Sequence, residues 1–368
     1  MTIKSPYTLA FLGLFTFSGC NAETTHKNMT PQTKPAHHNP DGSFKNLDSN
    51  FKQHSFTDAM KWMWKRKTPE PIRFEVLKPN LSPWTQKENS GVHALWIGHS
   101  TFLLRIHGIT VLTDPIFSER ASPVQWAGPK RSTPVALKIE ELPPVDVVIL
   151  SHDHYDHTDI NSLRALAKLK SSTGKTPVFL TPLGFKKWFK KNDLPPSVDK
   201  DWWESEVVAG LKFTPTPVQH WGKRSLGDDN TRLWCAWMIE SQGKKIYFSG
   251  DTGYSTDFVQ TNQRFGAVDL ALIPIGAYAP EWFMKPQHVN PEDAVRIHQD
   301  LHSKQSIGMH WGTFQLTDEP MDEPPFRLHQ ALIQQKLNPE SFVALYHGAL
   351  WSEGQKTPKT HLGNKKNE

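Results

Sequence analysis

Cysteine is nearly missing from this chain of 368 residues: there are two, Cys20 and Cys235. If Cys20 is modified, no intrachain disulfide can form, and the fold then cannot rest on one. Charge of one sign is also scarce as a run. The formal net charge is +5 and the pI about 9.0, yet there is no long Lys/Arg block and no basic stretch interleaved with aromatics. A nucleic-acid partner is therefore not expected, and only a mild attraction to anionic surfaces remains. No internal repeat stands out from periodicity. Tryptophan, by contrast, is abundant, with 14 residues. That loading suits a deep apolar pocket or a surface that meets lipid, although most tryptophans belong to cores. The length allows one large domain or two, with ample core for either.

The first residues read as a targeting segment, 1–19. Lys4 gives a short positive region, TLAFLGLFTF (8–17) an apolar one, and FSGC (17–20) a close match to the small-residue-then-Cys site of bacterial lipoprotein signals, with Phe17 at the usual Leu position. Two acyl chains on Cys20 would anchor the protein stably; an ordinary secretory signal is the competing reading. Asn21 rather than Asp follows the cysteine, which by resemblance to lipoprotein sorting points to the outer membrane, facing the periplasm. Residues 20–50 are polar and aperiodic and read as a flexible tether; His37 and His38 could be called a metal pair, but the tether reading is preferred. Residues 51–90 hold a basic amphipathic helix (56–67) and an irregular, proline-rich connection. Ser55 would cap the helix, with Phe56, Ala59, Met60 and Met63 as its apolar stripe, flanked by Trp62 and Trp64. It either packs on the domain or also rests in the lipid interface with its Lys/Arg rim on anionic headgroups.

From residue 91 to 350, short apolar runs recur between turns: HALWIG, TFLLRI, TVLTDP, VDVVIL, PVFLTP, LKFTPTPV, LWCAWMIE, KKIYFSG, VDLALIPI, QSIGMHWG and FVALYHG. These read as strands, with helices expected at 160–169, 183–191, 256–264, 291–301 and 326–336. Strands predominate early and helices become regular later. The pattern suits an α/β class fold, a four-layer αββα sandwich, followed by a polar tail, 351–368.

The stretch SHDHYDH (151–157) leaves the run VDVVIL and packs three imidazoles and carboxylates into a strand-end loop. His152 and His154, two apart, point to one side, while Asp156 and His157 follow to face a second point. One cation cannot easily use all four, so the loop reads as a metal site. Three further candidates also end strands: His220 after TPTPVQ, Asp251 after KKIYFSG, and His310 after SIGM.

An HxHxDH loop, a distant His, a GDTG acid and a last His together resemble the metallo-β-lactamase fold superfamily. The resemblance implies a first metal held by His152, His154 and His220, a second by Asp156, His157 and His310, and Asp251 bridging the two. Five imidazoles and two carboxylates suit two Zn²⁺ per chain, with Mn or Fe less fitting. IGHST (97–101), LTDPIFSERASPVQWAGPKR (112–131), DWWE (201–204), QHWGKRSLGDDN (219–230), GDTGY, residues 273–298 and HWGTF (310–314) narrow it. They resemble the N-acylphosphatidylethanolamine-hydrolysing phospholipase D family over nearly all of 91–348. Asp153 departs from that pattern, standing where the animal enzyme has Asn.

The resemblance implies a phospholipid substrate, cleaved to phosphatidic acid and an N-acylethanolamine, and a homodimer by analogy. Two cations roughly 3.5 to 4 Å apart generate the nucleophile from water and shield the phosphodiester anion. Asp251 or a nearby acid would protonate the leaving group. His288 is expected on the channel wall, as donor to phosphate or leaving group or as a structural histidine, with Lys285 and Gln287 as phosphate-positioning neighbours. Asp114 either orients a ligand imidazole or caps the turn into Pro115. His99 is either close to the metal rim or structural. A lactonase or nuclease on the same scaffold is the alternative activity, and a non-enzymatic zinc-binding envelope lipoprotein a third reading.

Overall fold

The computed structural model describes residues 35–48, 51, 53–85 and 91–362. The expected leader at 1–19, Cys20 and the first part of the tether lie outside these residues, as does the end of the polar tail. Among the described residues, fourteen strands form two seven-stranded sheets.

The first sheet uses β1 (Val92–Gly98), β2 (Thr101–Ile106), β3 (Ile109–Thr113), β4 (Val147–Ile149), β5 (Val178–Pro182) and β6 (Ser197–Lys200). The second uses β7 (Glu206–Val208), β8 (Leu211–Thr216), β9 (Ala236–Ser241), β10 (Lys244–Phe248), β11 (Leu270–Pro274), β12 (Gln305–Met309) and β13 (Phe342–Val343). β14 (Leu350–Ser352) returns to pair with β1 and closes the first sheet. Within each sheet an antiparallel meander gives way to parallel strands, β3 to β6 in the first and β10 to β13 in the second.

Alternation along single strands explains why these runs are apolar throughout. In β1, Ala94 and Trp96 belong to one buried cluster and Leu95 and Ile97 to another; β4 divides Val147 and Ile149 from Val148 in the same way. The larger cluster contains residues of both sheets, including Trp96, Leu104, Phe213, Trp237 and Tyr247. The other lies outside the first sheet, against α3 (Ile160–Leu166) and α4 (Phe185–Lys191), through Leu163, Leu166, Phe185 and Phe189. The second sheet is covered by α5 (Asp257–Phe265), α7 (Pro291–Asp300) and α8 (Glu323–Gln334). This is the αββα sandwich.

Three expectations change. Residues 36–48 are no free tether: Phe44 is buried in the main core, Asn46 is buried, and His37 and His38 bond to Asp201. The polar tail is tied in up to residue 362 by β14 and by a bridge between Leu345 and Thr360. The N-terminal helix α1 (Phe56–Lys65) has its Ser55 capping box, yet it turns a different face inward. Trp62 stacks on Phe283 at 5.2 Å and donates its indole N–H to Asp318, and Arg66 donates to the Leu316 carbonyl, while Met60 and Met63 face outward. An indole offers more area than a methionine and a donor that finds a carboxylate, so it takes the packed side. Two short helices, α2 (Ser82–Thr85) and α6 (Glu281–Met284), were not expected from the sequence.

Candidate metal centre

Six strand ends deliver the site. β3 ends before Asp114, β4 before the 151–157 loop, β8 before His220, β10 before Asp251, β11 before the segment carrying His288, and β12 before His310. All of these residues meet at one edge of the sandwich. The backbone bends sharply to present them: Asp114, His99 and His310 have φ of 30°, 53° and 60°. Such conformations cost energy in residues with a side chain and concentrate where function requires them. Gly250, at φ 58°, lets β10 end against Ser151, where a Cβ would lie 2.5 Å from the serine Cβ.

His152, His154 and His220 form one group; their rings are 4.5 to 5.1 Å apart and His220 Nε2 is 3.2 Å from His154 Nδ1. Asp156, His157 and His310 form a second, with His99 beside them. Asp156 Oδ2 is 3.5 Å from His157 Nε2 and 3.3 Å from His310 Nε2. Asp251 Oδ2 lies between the groups, 3.1 Å from His157 Nε2, 3.0 Å from His310 Nε2 and 3.9 Å from His152 Nε2. The structure thus gathers all seven candidate ligands.

The residues fit a pair of cations. His152 Nε2, His157 Nε2 and Asp251 Oδ1 are buried without an aligned hydrogen-bond partner, although both imidazole nitrogens have Asp251 Oδ2 nearby. An unsatisfied buried polar atom costs about 1–3 kcal/mol, so several converging together are explained by a ligand they await. Electrostatics agree. Burial raises the Asp156 and Asp251 carboxyls, but the adjacent imidazoles overcome it and hold both well below the usual range. Burial lowers His310, but Asp251 and Asp156 lift it to about 9. His152 and His220, buried and crowded by other imidazoles, are held well below their ordinary value. A divalent cation takes lone pairs from neutral imidazoles and from ionised carboxylates: His152 and His220 already offer theirs, whereas His157 and His310, which Asp251 and Asp156 hold above the ordinary value, release a proton as the cation replaces it.

Supporting contacts fix the donors. Asp114, wholly buried, accepts from His157 Nδ1 at 2.7 Å and from the Ser151 N–H at 2.7 Å, which turns His157 Nε2 toward the site. It acts as a positioning residue. His220 Nδ1 is 3.0 Å from the Gln287 carbonyl, leaving its Nε2 for the first group. His99 Nε2 is 3.0 Å from Asp156 Oδ2, so it belongs to the rim and orients that carboxylate. Asp153, side chain buried, meets Arg232 Nε at 2.5 Å, and Arg224 donates to the Asp153 carbonyl. Its extra charge is thereby neutralised within the loop. Asn46 gave no signal in the sequence, yet its side chain bonds both the N–H and the carbonyl of His220.

A cavity of about 780 Å³ opens over the rim. His154, Asp156, Asp251, His288 and His310 form its polar end; Ala59, Trp62, Phe283, Met284 and Leu316 give it an apolar wall. His288 Nδ1 is 3.8 Å from Asp251 Oδ2, and burial pushes His288 down to about 4, so it is neutral near pH 7. Gln287 also lines the cavity.

Residues 110–311 match the beta-lactamase superfamily domain. With the two-sheet fold and its histidine and aspartate rim, this defines a metal-dependent hydrolase of the metallo-β-lactamase superfamily. The "N-acyl-phosphatidylethanolamine-hydrolyzing phospholipase D 1" of Caenorhabditis elegans is 38% identical over 274 residues, 71% of this chain and 76% of that one. A mitochondrial enzyme of the same description from Saccharomyces cerevisiae is 37% identical over 272 residues, 71% of this chain and 57% of that longer one. The chain belongs to the N-acylphosphatidylethanolamine-hydrolysing phospholipase D family. Among solved structures, an isothiocyanate hydrolase from Delia radicum gut bacteria has the same fold, with a TM-score of 0.55 at 20% identity over 71% of this chain and 99% of that one.

Proposed function

We propose that this protein is a dizinc phosphodiesterase of the phospholipase D type, hydrolysing N-acylphosphatidylethanolamine to N-acylethanolamine and phosphatidic acid at a membrane surface. One observation carries the reading: the cavity lined by the rim of metal donors is also lined by apolar side chains, Ala59 and Trp62 from α1, Phe283 and Met284 from α6, and Leu316. That polarity matches an amphiphile whose phosphodiester must reach the donors while its chains stay among side chains such as Trp62, Phe283 and Met284.

Zinc held by His152, His154 and His220, by Asp156, His157 and His310, and shared at Asp251 would lower the pKa of water and offset charge on phosphorus. The protein supplies the rest. Asp251, or an acid beside it, would hand a proton to the departing alkoxide. Neutral His288 offers an N–H toward a phosphoryl oxygen. The cavity's lysine, Lys223, is paired with Asp229 at 2.7 Å, which favours one compact anion over a polyanionic strand.

The membrane half of the proposal has its own support. Met63, Trp64 and Trp282 are exposed on α1 and α6, elements whose neighbouring residues line the cavity; Trp126 and Leu226 are exposed on loops that also reach it through Ala121 and Lys223. Among the described residues no helix is long and apolar enough to cross a membrane. An acylated Cys20 in the outer membrane, facing the periplasm, would hold the mouth against lipid.

The test is purified, zinc-loaded protein on vesicles containing N-acylphosphatidylethanolamine, with products read by mass spectrometry. N-acylethanolamine and phosphatidic acid are expected in equal amounts. An untouched phospholipid, with a lactone or a nucleotide diester turned over instead, would sink the proposal.

A further inference from the structure

His37 and His38 take no part in the rim, and neighbouring residues of an extended chain face opposite ways. A turn here defeats that. His37 Nε2 lies 2.6 Å from Asp201 Oδ1 and His38 Nε2 lies 2.7 Å from Asp201 Oδ2, so two adjacent imidazoles close on one carboxylate. The three donor atoms are all within 4.8 Å of one another. Their setting is built rather than accidental. His37 is buried and stacked on Trp202 with ring centroids 4.2 Å apart, which fixes its plane. The Trp202 N–H donates to Asp201 Oδ1 at 2.8 Å, which fixes the carboxylate. His38 keeps the largest solvent-facing side, 22% of its side chain.

The geometry points to a third metal site, separate from the rim, that takes one divalent cation of the zinc type. Two imidazoles and a carboxylate supply three ligands, and water reaches the fourth position from the open side of His38. When the cation enters, each Nε2 presents its lone pair. A neutral imidazole reaches that state by carrying its proton on Nδ1; a protonated one releases a proton to solvent. The nitrogen to oxygen separations then widen from hydrogen-bond length to about 3 Å, the spacing of neighbouring ligands on bonds of about 2.0–2.2 Å.

The site has a structural consequence. It fastens residues 36–38 to Asp201, and the same segment carries Phe44 into the core and Asn46 onto His220. Occupancy of the third site therefore secures the element that clamps a candidate ligand of the first.

The experiment compares full-length wild type with His38→Ala and Asp201→Asn after saturation with zinc and removal of free metal. Zinc per chain is measured by mass spectrometry, with circular dichroism to confirm the fold. Asp201→Asn keeps the side chain's shape and one acceptor, so it serves if His38→Ala is unstable. Each folded variant is expected to hold about one zinc fewer than wild type, whatever number the rim retains. Equal counts in wild type and folded variants would overturn the third site and leave the reading of the rim intact.

Discussion

Asn46 grips the main chain of His220 on both its polar groups: Nδ2 donates to the carbonyl at 2.8 Å and Oδ1 accepts the N–H at 3.0 Å. Trp234 Nε1 also reaches Oδ1, at 3.1 Å. A residue far outside the catalytic sheets thus sets where a candidate ligand sits. Asn46→Ala should leave the His220 N–H buried and unpaired, destabilising the protein by about 1–3 kcal/mol. Zinc affinity at the rim should fall with it. A urea midpoint and a zinc titration that both match wild type would refute the role.

Asp114 reaches the rim directly through His157 and, by way of the Ser151 hydroxyl, His152. Asp114→Asn can present an N–H to His157 Nδ1 and so favours the wrong tautomer at Nε2. Metal affinity is expected to drop roughly 10- to 100-fold, read by competition with a chromogenic chelator, while the overall fold persists.

Asp153 and Arg232 form a buried pair with a further tie from Arg232 to Asp228. Arg232→Ala strands the Asp153 charge and should cost about 3–5 kcal/mol. Asp153→Asn should cost less, because Arg232 keeps Asp228. A double-mutant cycle in chemical denaturation measures the coupling, and additive single effects would show that the pair is not coupled.

His298 gives a pH signature. It is buried beside Ser306, and burial pushes it down to about 4 from an ordinary value of 6.5. Between those values the unfolded chain binds the proton and the native one does not. Stability from this group therefore declines as pH falls from about 6.5 toward 4, with a slope of at most about 1.4 kcal/mol per pH unit. His298→Gln should flatten the acid limb of a melting-temperature profile in that window; an unchanged limb would assign the acid sensitivity to other groups.

On the membrane reading, Met63→Ser with Trp64→Ser should reduce sedimentation with anionic vesicles several-fold while leaving hydrolysis of a short-chain, soluble substrate near wild type. Equal loss of both activities would instead mean that α1 had lost its packing.

The rim was legible because each donor ends an apolar run, and strand ends on one edge of a sandwich converge whatever the details between them. The three strands that periodicity did not reveal, β6, β7 and β14, all lie at sheet edges. An edge strand is covered less and can be short and polar: β7 is Glu-Val-Val, with Val207 exposed. The inward face of α1 was hidden for another reason. Amphipathic spacing ranks side chains by polarity, but Trp62 and Arg66 won their places through specific acceptors, Asp318 and the Leu316 carbonyl, roughly 250 positions along the chain. Asn46 and the His37–His38 turn were illegible likewise, since nothing local to a polar segment reveals which distant backbone it will hold.

The two groups of donors each draw on both sheets. His152, His154, Asp156 and His157 follow β4 of the first, whereas His220, Asp251 and His310 follow β8, β10 and β12 of the second. A cation in either group is consequently a rivet through the open edge of the sandwich, joining layers that elsewhere are held only by apolar packing and scattered polar contacts. Metal loading and the mechanical integrity of that edge become one variable, and chelation should unzip the sandwich from the catalytic rim inward.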